Sequence, residues 1–352
     1  MTKKKTCVGL LCGGQSAEHE VSLHTVKSAF HAINKDRYDV HVVGINRCGL
    51  WSHIPEALLE QDVEKMRVFL EQVTSSQKEF ILGPPGQEGD YFDIIFPLIH
   101  GTNGEDGRLQ GLLDMVGIPY VGAGVLGSAV GMDKDIMKRL LRDADIPIAP
   151  FRVLRKGEKS SFEEIKKELH IPLFVKPANA GSSVGVSKVR NEKEYKQALK
   201  EAFQFDEKIL LEKSIEGREV ECAVLGNDTP RSSVCGEVVF EDDFYGYDTK
   251  YSSTSNTRLV IPANIDSSLS EKIQTLAIQT FQILECLGLG RVDFFVEKEG
   301  HIFVNEINTL PGFTDKSMYP KLWEATGLSY EKLIDTLLSL VQERKEKTTR
   351  LF

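Results

Sequence analysis

Several features that would place this chain in other classes are absent. Its six cysteines, Cys7, Cys12, Cys48, Cys222, Cys235 and Cys286, form no CxxC pair and no cluster with histidine. Neither a zinc site nor a disulfide framework is expected, and the thiols read as buried apolar residues in a reducing cytoplasm. No window approaches the ~18 apolar residues that span a bilayer. The lysines Lys3–Lys5 lead into no signal-peptide core, because Gly9, Cys12, Gly13 and Gly14 interrupt the apolar stretch. Positive charge is not in excess: the formal net charge is −9, which argues against a nucleic-acid surface. Internal repeats and low-complexity segments are also missing.

What is present suits a soluble α/β protein. With 352 residues, 41% hydrophobic, the chain can bury a large core and divide into two or three domains. Thr6–Leu11 reads as a buried strand that turns at Gly13-Gly14. A helix carrying Leu23, Val26, Phe30 and Ile33 on one face follows, then strands over Val40–Ile45 and Phe92–Leu98 and a helix over Gly107–Met115. This β-α-β order predicts a parallel sheet covered by helices. Ligands of such sheets sit beyond the C-terminal strand ends, which places the turns 13–20 and 100–107 at one edge.

A second unit begins near Val121, with a helix over Asp133–Ala144 and helix caps at Ser161-x-x-Glu164 and Asn191-x-x-Glu194. It includes strands Leu173–Lys176, Val184–Val189 and Lys208–Lys213. A third unit holds strands Glu219–Leu225, Ser233–Phe240 and Arg258–Ile261, then a helix over Leu269–Leu287. A hairpin of Val292–Val296 and Ile302–Glu306 follows, and an amphipathic helix from Tyr330 closes the chain.

The late hairpin is the sharpest chemical signal. Asp293 sits in one apolar strand; Glu306 and Asn308 share one face of the other by the two-residue strand period. Three hard oxygen donors so placed suit Mg²⁺ beside nucleotide phosphates. An ordinary charged surface hairpin is the bland alternative. The segment from Lys176 to Val186 joins two strands through a Gly/Ser-rich turn, without Walker A spacing. It reads equally as a phosphate-covering flap or as a plain β-turn. Lys134, at a helix start, is alone best read as a solvated lysine. Leu210–Ile215 runs from an apolar strand into a polar linker: an adenine contact or a simple domain connection.

Together these segments are similar to the ATP-grasp superfamily, and most closely resemble its D-alanine–D-alanine ligases. The motifs are Gly13–Ser22, His100–Gly107, Lys176–Val186, Tyr245–Tyr251 and Asn305–Gly312, in family order over nearly the whole chain. The resemblance implies a three-domain ATP-grasp architecture: an N-terminal parallel α/β domain (1–121), then two α+β lobes (122–215 and 216–352) clasping ATP. It implies that Asp293, Glu306 and Asn308 hold two Mg²⁺ (or Mn²⁺) ions. Lys134 and Lys176 would contact ATP phosphates under a flap bearing Ser182 and Ser183. Glu212, Lys213 and Ile215 would meet adenine, and Glu219 the ribose. Glu18 and His100 would bind the first D-alanine; Lys250, Ser317 and Met318 the carboxylate of the second. Arg291 and the Gly312 backbone would form an oxyanion site, and Ser182 and Tyr251 would hydrogen-bond Glu18. Many relatives have Leu where this chain has Met318.

The implied activity is ligation of two D-alanines through a D-alanyl phosphate, for peptidoglycan precursors, in a cytoplasmic homodimer with neither membrane nor nucleic acid as partner. The polar segment 241–257 reads as a lid. Tyr251 favours an amine over the hydroxyl of D-lactate as second nucleophile. Another carboxylate–amine ligase and a non-enzymatic nucleotide-binding regulator are the competing readings, and an oxyanion residue such as Arg291 has no use in the latter.

Overall fold

The computed structural model describes residues 5–74, 82, 91–239 and 258–349. The first sheet has the order β3-β2-β1-β4. Its strands are β1 (Thr6–Gly13), β2 (Tyr38–Ile45), β3 (Trp51–His53) and β4 (Ile94–Pro97). Strand β1 runs parallel to both β2 and β4, and only β3 is antiparallel. Helix α1 (His19–Ala32) buries Leu23, Val26 and Phe30 against one face, where Met66 and Leu70 of α3 (Val63–Glu71, following the short α2, Glu56–Leu59) join it. Helix α4 (Arg108–Met115) covers the opposite face with Leu109 and Leu113.

Two helices then follow, α5 (Val125–Met132) and α6 (Lys134–Asp143). Sequence reading found only the second, because Val125-Leu-Gly-Ser-Ala-Val-Gly-Met132 has too few polar residues to show a helical period. Asp133 caps α6 by accepting from the N–H groups of Asp135 and Ile136. Residues from Ala123 to Ile146 bury Val130, Met137 and Leu141 with Val292, Phe294 and Val304, so this segment shares a core with the third sheet.

The second sheet is antiparallel, with the order β5-β8-β6-β7: β5 (Phe151–Arg155), β6 (Leu173–Pro177), β7 (Ser187–Val189) and β8 (Lys208–Lys213). Helices α7 (Phe162–Leu169) and α8 (Glu192–Ala202) cover it, capped at Ser161 and Asn191 as expected. Strand β7 is shorter than its sequence suggests. Ser182, Ser183 and Gly185 all hold positive φ, which keeps 182–186 in the turn.

The third sheet has the order β11-β10-β9-β12-β13. It comprises β9 (Arg218–Gly226), β10 (Arg231–Val239), β11 (Arg258–Val260), β12 (Gly288–Val296) and β13 (Ile302–Asn308). Helix α9 (Ser267–Ile283) packs Ile273, Ala277 and Phe281 on Val220, Cys222 and Val224. It ends four residues before the expected Leu287, where Glu285 turns to φ +54°. On the other face, Ala223, Leu225 and Leu289 join α10 (Met318–Ala325) and α11 (Tyr330–Thr349). Leu333, Leu337 and Val341 of α11 also reach the first sheet, so the chain's last helix closes its first core. The expected lid, with Lys250 and Tyr251, lies outside the described residues.

Gly13 fixes the first turn. It holds φ +85°, and a Cβ there would stand 2.2 Å from the Ile45 carbonyl oxygen. Gly13→Ala is expected to destabilise the protein by about 2 kcal/mol or more, read as a lower midpoint in thermal unfolding.

Candidate active site

The third sheet is apolar on one half of its α10/α11 face and charged on the other. Asp293 pairs directly across strands with Glu306 on one side and with Glu221 on the other. Arg291 pairs with Asn308. Two-residue periodicity puts Arg291 and Asp293 on one face, and a bulge between Asp293 and Phe294 locally re-aims the strand. Arg291 Nε lies 2.7 Å from Asp293 Oδ1 and 2.8 Å from Glu221 Oε2, and Nη2 donates to Asp293 Oδ2 at 2.8 Å. Asn308 Nδ2 donates to the same Oδ2 at 2.9 Å. Burial opposes the Arg291 charge, but Asp293 and Glu221 outweigh it and hold the guanidinium's pKa above its ordinary value.

A second set of cations faces this row from α6 and the second sheet. Lys134 Nζ lies 3.3 Å from Glu306 Oε2 and donates to the Ala180 carbonyl at 2.8 Å, tying the Gly/Ser turn to the helix start. Lys176 Nζ donates to Glu212 Oε1 at 2.5 Å and reaches Asn305 Oδ1 at 3.4 Å. The other oxygen of Glu212 pairs with Lys138 Nζ at 2.8 Å. Glu212 is 1% exposed. Burial alone raises its pKa, but Lys138 and Lys176 overcome it and hold the carboxyl down at about 2.

Beyond the C-terminal ends of β1 and β4, the two expected turns do meet: Ser16 Oγ donates to the His100 carbonyl at 2.8 Å. The Glu18 carboxylate lies between glycines. A Cβ on Gly101 would fall 2.8 Å from its Oε2, and one on Gly181 of the second-sheet turn 3.7 Å. His100 is 3% exposed. Its Nδ1 donates to the Leu310 carbonyl at 3.0 Å, and its Nε2 meets Thr25 Oγ1 at 3.1 Å. Thr25 Oγ1 gives its own proton to the Val21 carbonyl, so it accepts from Nε2. Both ring nitrogens then donate, an arrangement that favours the protonated ring. Burial disfavours that charge, but Glu105, 3.8 Å away, and Glu18 raise the His100 pKa above its usual value. Leu310 follows β13, so this bond fastens the β12–β13 hairpin to the first sheet.

The remaining candidates divide. Ser317, at the start of α10, accepts from Thr314 N at 3.1 Å, and a Cβ on Gly312 would stand 3.2 Å from its Oγ. The Met318 side chain is buried in the core, so only its backbone faces this turn. Glu219 is exposed on β9, opposite Phe295. Lys213 and Ser214 donate their N–H groups to the Pro150 and Pro172 carbonyls. Sequence reasoning missed Lys138, Glu221 and Glu105. Lys138 follows Lys134 by one helical turn on a face with Met137 and Leu141, and Glu221 follows Glu219 by one strand period; those spacings were the available signal.

The chain is similar to known proteins in sequence and in fold. The family model described as D-ala D-ala ligase N-terminus matches residues 7–123, and that described as D-ala D-ala ligase C-terminus matches residues 140–339. The chain belongs to the D-alanine–D-alanine ligase family. The chain is 50% identical to "D-alanine--D-alanine ligase A" of Salmonella typhimurium, over 97% of this chain and 96% of that protein. The solved D-alanine-D-alanine ligase of Coxiella burnetii superposes with a TM-score of 0.87 at 36% identity, covering 99% of this chain and 97% of that one. The Bacillus anthracis ligase, solved in complex with ATP, gives 0.75 at 26% identity, covering 98% and 100%. Family membership therefore accords with the ATP-grasp architecture expected from the motifs.

The depressed Glu212 pKa sets a pH dependence. Its folded value of about 2 lies below the ordinary ~4.3. Its stabilisation is complete above the unfolded-state pKa and is lost as pH falls through the folded one. Between pH 5 and pH 2, wild-type stability is expected to fall more steeply than that of Glu212→Gln, as measured by urea unfolding at each pH.

Proposed function

We propose that this chain uses ATP to join two D-alanine molecules through a D-alanyl phosphate, releasing ADP and phosphate. The carrying observation is the row Glu221, Asp293, Glu306 on the third sheet, faced by Lys134 and Lys176 and adjoined by the Glu18–His100 edge. A carboxylate is a poor electrophile because oxide leaves badly; a phosphate leaves readily. The anionic groups of ATP and D-alanine need cations, and the site has them. Lys134 and Lys176 would hold phosphates, and His100 would lie near the first D-alanine's carboxylate. Glu18 would take its ammonium.

Two carboxylates and an amide oxygen are hard donors that fit Mg²⁺ or Mn²⁺ at Asp293, Glu306 and Asn308. Arg291 and Lys134 already neutralise those carboxylates in the structure, so the position accepts positive charge. Two such ions, when bound, would offset the charge of the transferring phosphoryl group.

When the second D-alanine's amine attacks the acyl phosphate, an oxyanion forms. Arg291, fixed by Asp293 and Glu221, and the Gly312 N–H would stabilise it; one such donor is worth ~3 kcal/mol. Ser317 and the Met318 N–H, at the start of α10, would take the second carboxylate with Lys250. Since Lys213 and Ser214 commit their N–H groups to the sheet, the backbone donor to adenine falls to Ile215, with Glu212 beside it and Glu219 toward the ribose. Ser182 and Ser183 carry φ of 50° and 61°, strained values that suit a turn shaped to cover phosphates. Acyl phosphates hydrolyse, so closure by the turn and by the segment bearing Tyr251, which would join Ser182 on Glu18, would exclude water. The division 1–121, 122–215 and 216–352 then separates substrate capture, phosphate cover and metal hairpin. The relatives' names do not favour D-lactate as second substrate.

The product serves peptidoglycan precursor synthesis in the cytoplasm; among the described residues no helix is long and apolar enough to cross a membrane. A homodimer is supported by exposed Leu112 and Met115 on α4 and exposed Leu126 on α5, two helices that pack together. Met115→Glu with Leu126→Glu is expected to halve the mass seen by light scattering.

A coupled ATPase assay with D-alanine, followed by mass analysis for the dipeptide, tests the activity. Glu306→Gln is expected to lose magnesium-dependent turnover by roughly a hundredfold or more while keeping its unfolding midpoint. Near-normal turnover in that variant would remove the metal assignment.

A further inference from the structure

Lys138 has no part in the reading above, and its position calls for one. It sits on α6 one turn beyond Lys134, with a side chain 1% exposed, against Glu212, also 1% exposed. Its ammonium therefore meets no ligand directly. Its ionic partner is Glu212 Oε2 at 2.8 Å, and the Phe151 ring lies 5.9 Å away. Lys176 occupies the other Glu212 oxygen at 2.5 Å and is 10% exposed, so it alone of the two lysines faces the cleft.

We propose that Lys138 is a positioning residue for nucleotide binding, neutralising Glu212 from below so that the Lys176 charge remains available to the nucleotide. The inference rests on the ATP reading. The charge count carries it. With Lys138 present, two ammonium groups share one carboxylate, and the buried cluster is net positive toward an anion entering above Lys176. Without Lys138, Glu212 and Lys176 form a closed neutral pair. Desolvation then holds Lys176 to the carboxylate, because a buried charge keeps its only counter-charge. Asn305 Oδ1, 3.4 Å from Lys176 Nζ, offers the alternative partner that lets the lysine turn toward a ligand.

Lys138 acts only through Glu212 in this account, which a double-mutant cycle tests. ATP affinity is measured by titration calorimetry, with kcat and the KM values for ATP and D-alanine, on wild type, Lys138→Met, Glu212→Gln and the double variant. Lys138→Met is expected to weaken ATP binding on the order of tenfold or more, with kcat and the D-alanine KM within about threefold of wild type. In the Glu212→Gln background the same change is expected to alter ATP affinity less than about twofold. Additive losses, or unchanged ATP affinity in Lys138→Met, would overturn the proposal. Lys138→Gln, which keeps a donor toward Glu212, is read by the same criteria, so the outcome does not depend on how well the Met variant folds. Failure of wild type itself to bind ATP would instead sink the nucleotide reading, a distinct result.

Discussion

Carboxylates inside a cleft need counter-charges, and here most of the counter-charges come from distant segments. Glu212 of β8 is held by Lys138 of α6 and Lys176 of β6. Glu306 of β13 is held by Lys134, and Asp293 by Arg291 of its own strand. Removing one partner of the buried Glu212 cluster leaves an uncompensated charge, typically a loss of 3–5 kcal/mol. The helix α6, the second sheet and the third sheet therefore have a strong electrostatic reason to keep their mutual placement. The same pairs leave the cleft lined by both carboxylates and cations.

The hydrophobic arrangement frames this cleft without filling it. On the third sheet, Ala223, Leu225 and Leu289 bury one half of a face beneath α10 and α11. Further along the same strands, Glu221, Arg291 and Asp293 occupy equivalent alternate positions. One strand period thus supplies core at one end and chemistry at the other. Helix α11 joins that core to the first sheet, and the His100–Leu310 hydrogen bond joins the two at the site. Glu18 and His100 near the start of the chain and the β12–β13 hairpin near its end are thereby brought to one edge.

The Gly/Ser turn holds two adjacent strained residues. Ser182 and Ser183 adopt left-handed backbone despite having side chains, and Lys134 reaches over to the Ala180 carbonyl beside them. Such conformations cost of order 1–3 kcal/mol each and persist where surrounding contacts impose them.

By itself the sequence did not reveal β3, α2, α3, β5 or α10, but it determined the main strands and helices of the three sheets, the helix caps at Ser161 and Asn191, and the sharing of one strand face by Glu306 and Asn308. Those are local: they follow from periodicity, capping and turn chemistry within a few residues. Its motifs, by resemblance, also named the family. Helix α5 escaped notice because it is apolar nearly all round, and the end of α9 because a left-handed Glu285 leaves no clear mark in composition. Only the tertiary structure decided that Lys138 pairs with Glu212, that Glu221 stands opposite Asp293, and that His100 is buried between Glu105, Leu310 and Thr25. These facts join residues separated by tens to hundreds of positions, and the energy of a buried charge depends on what surrounds it in space.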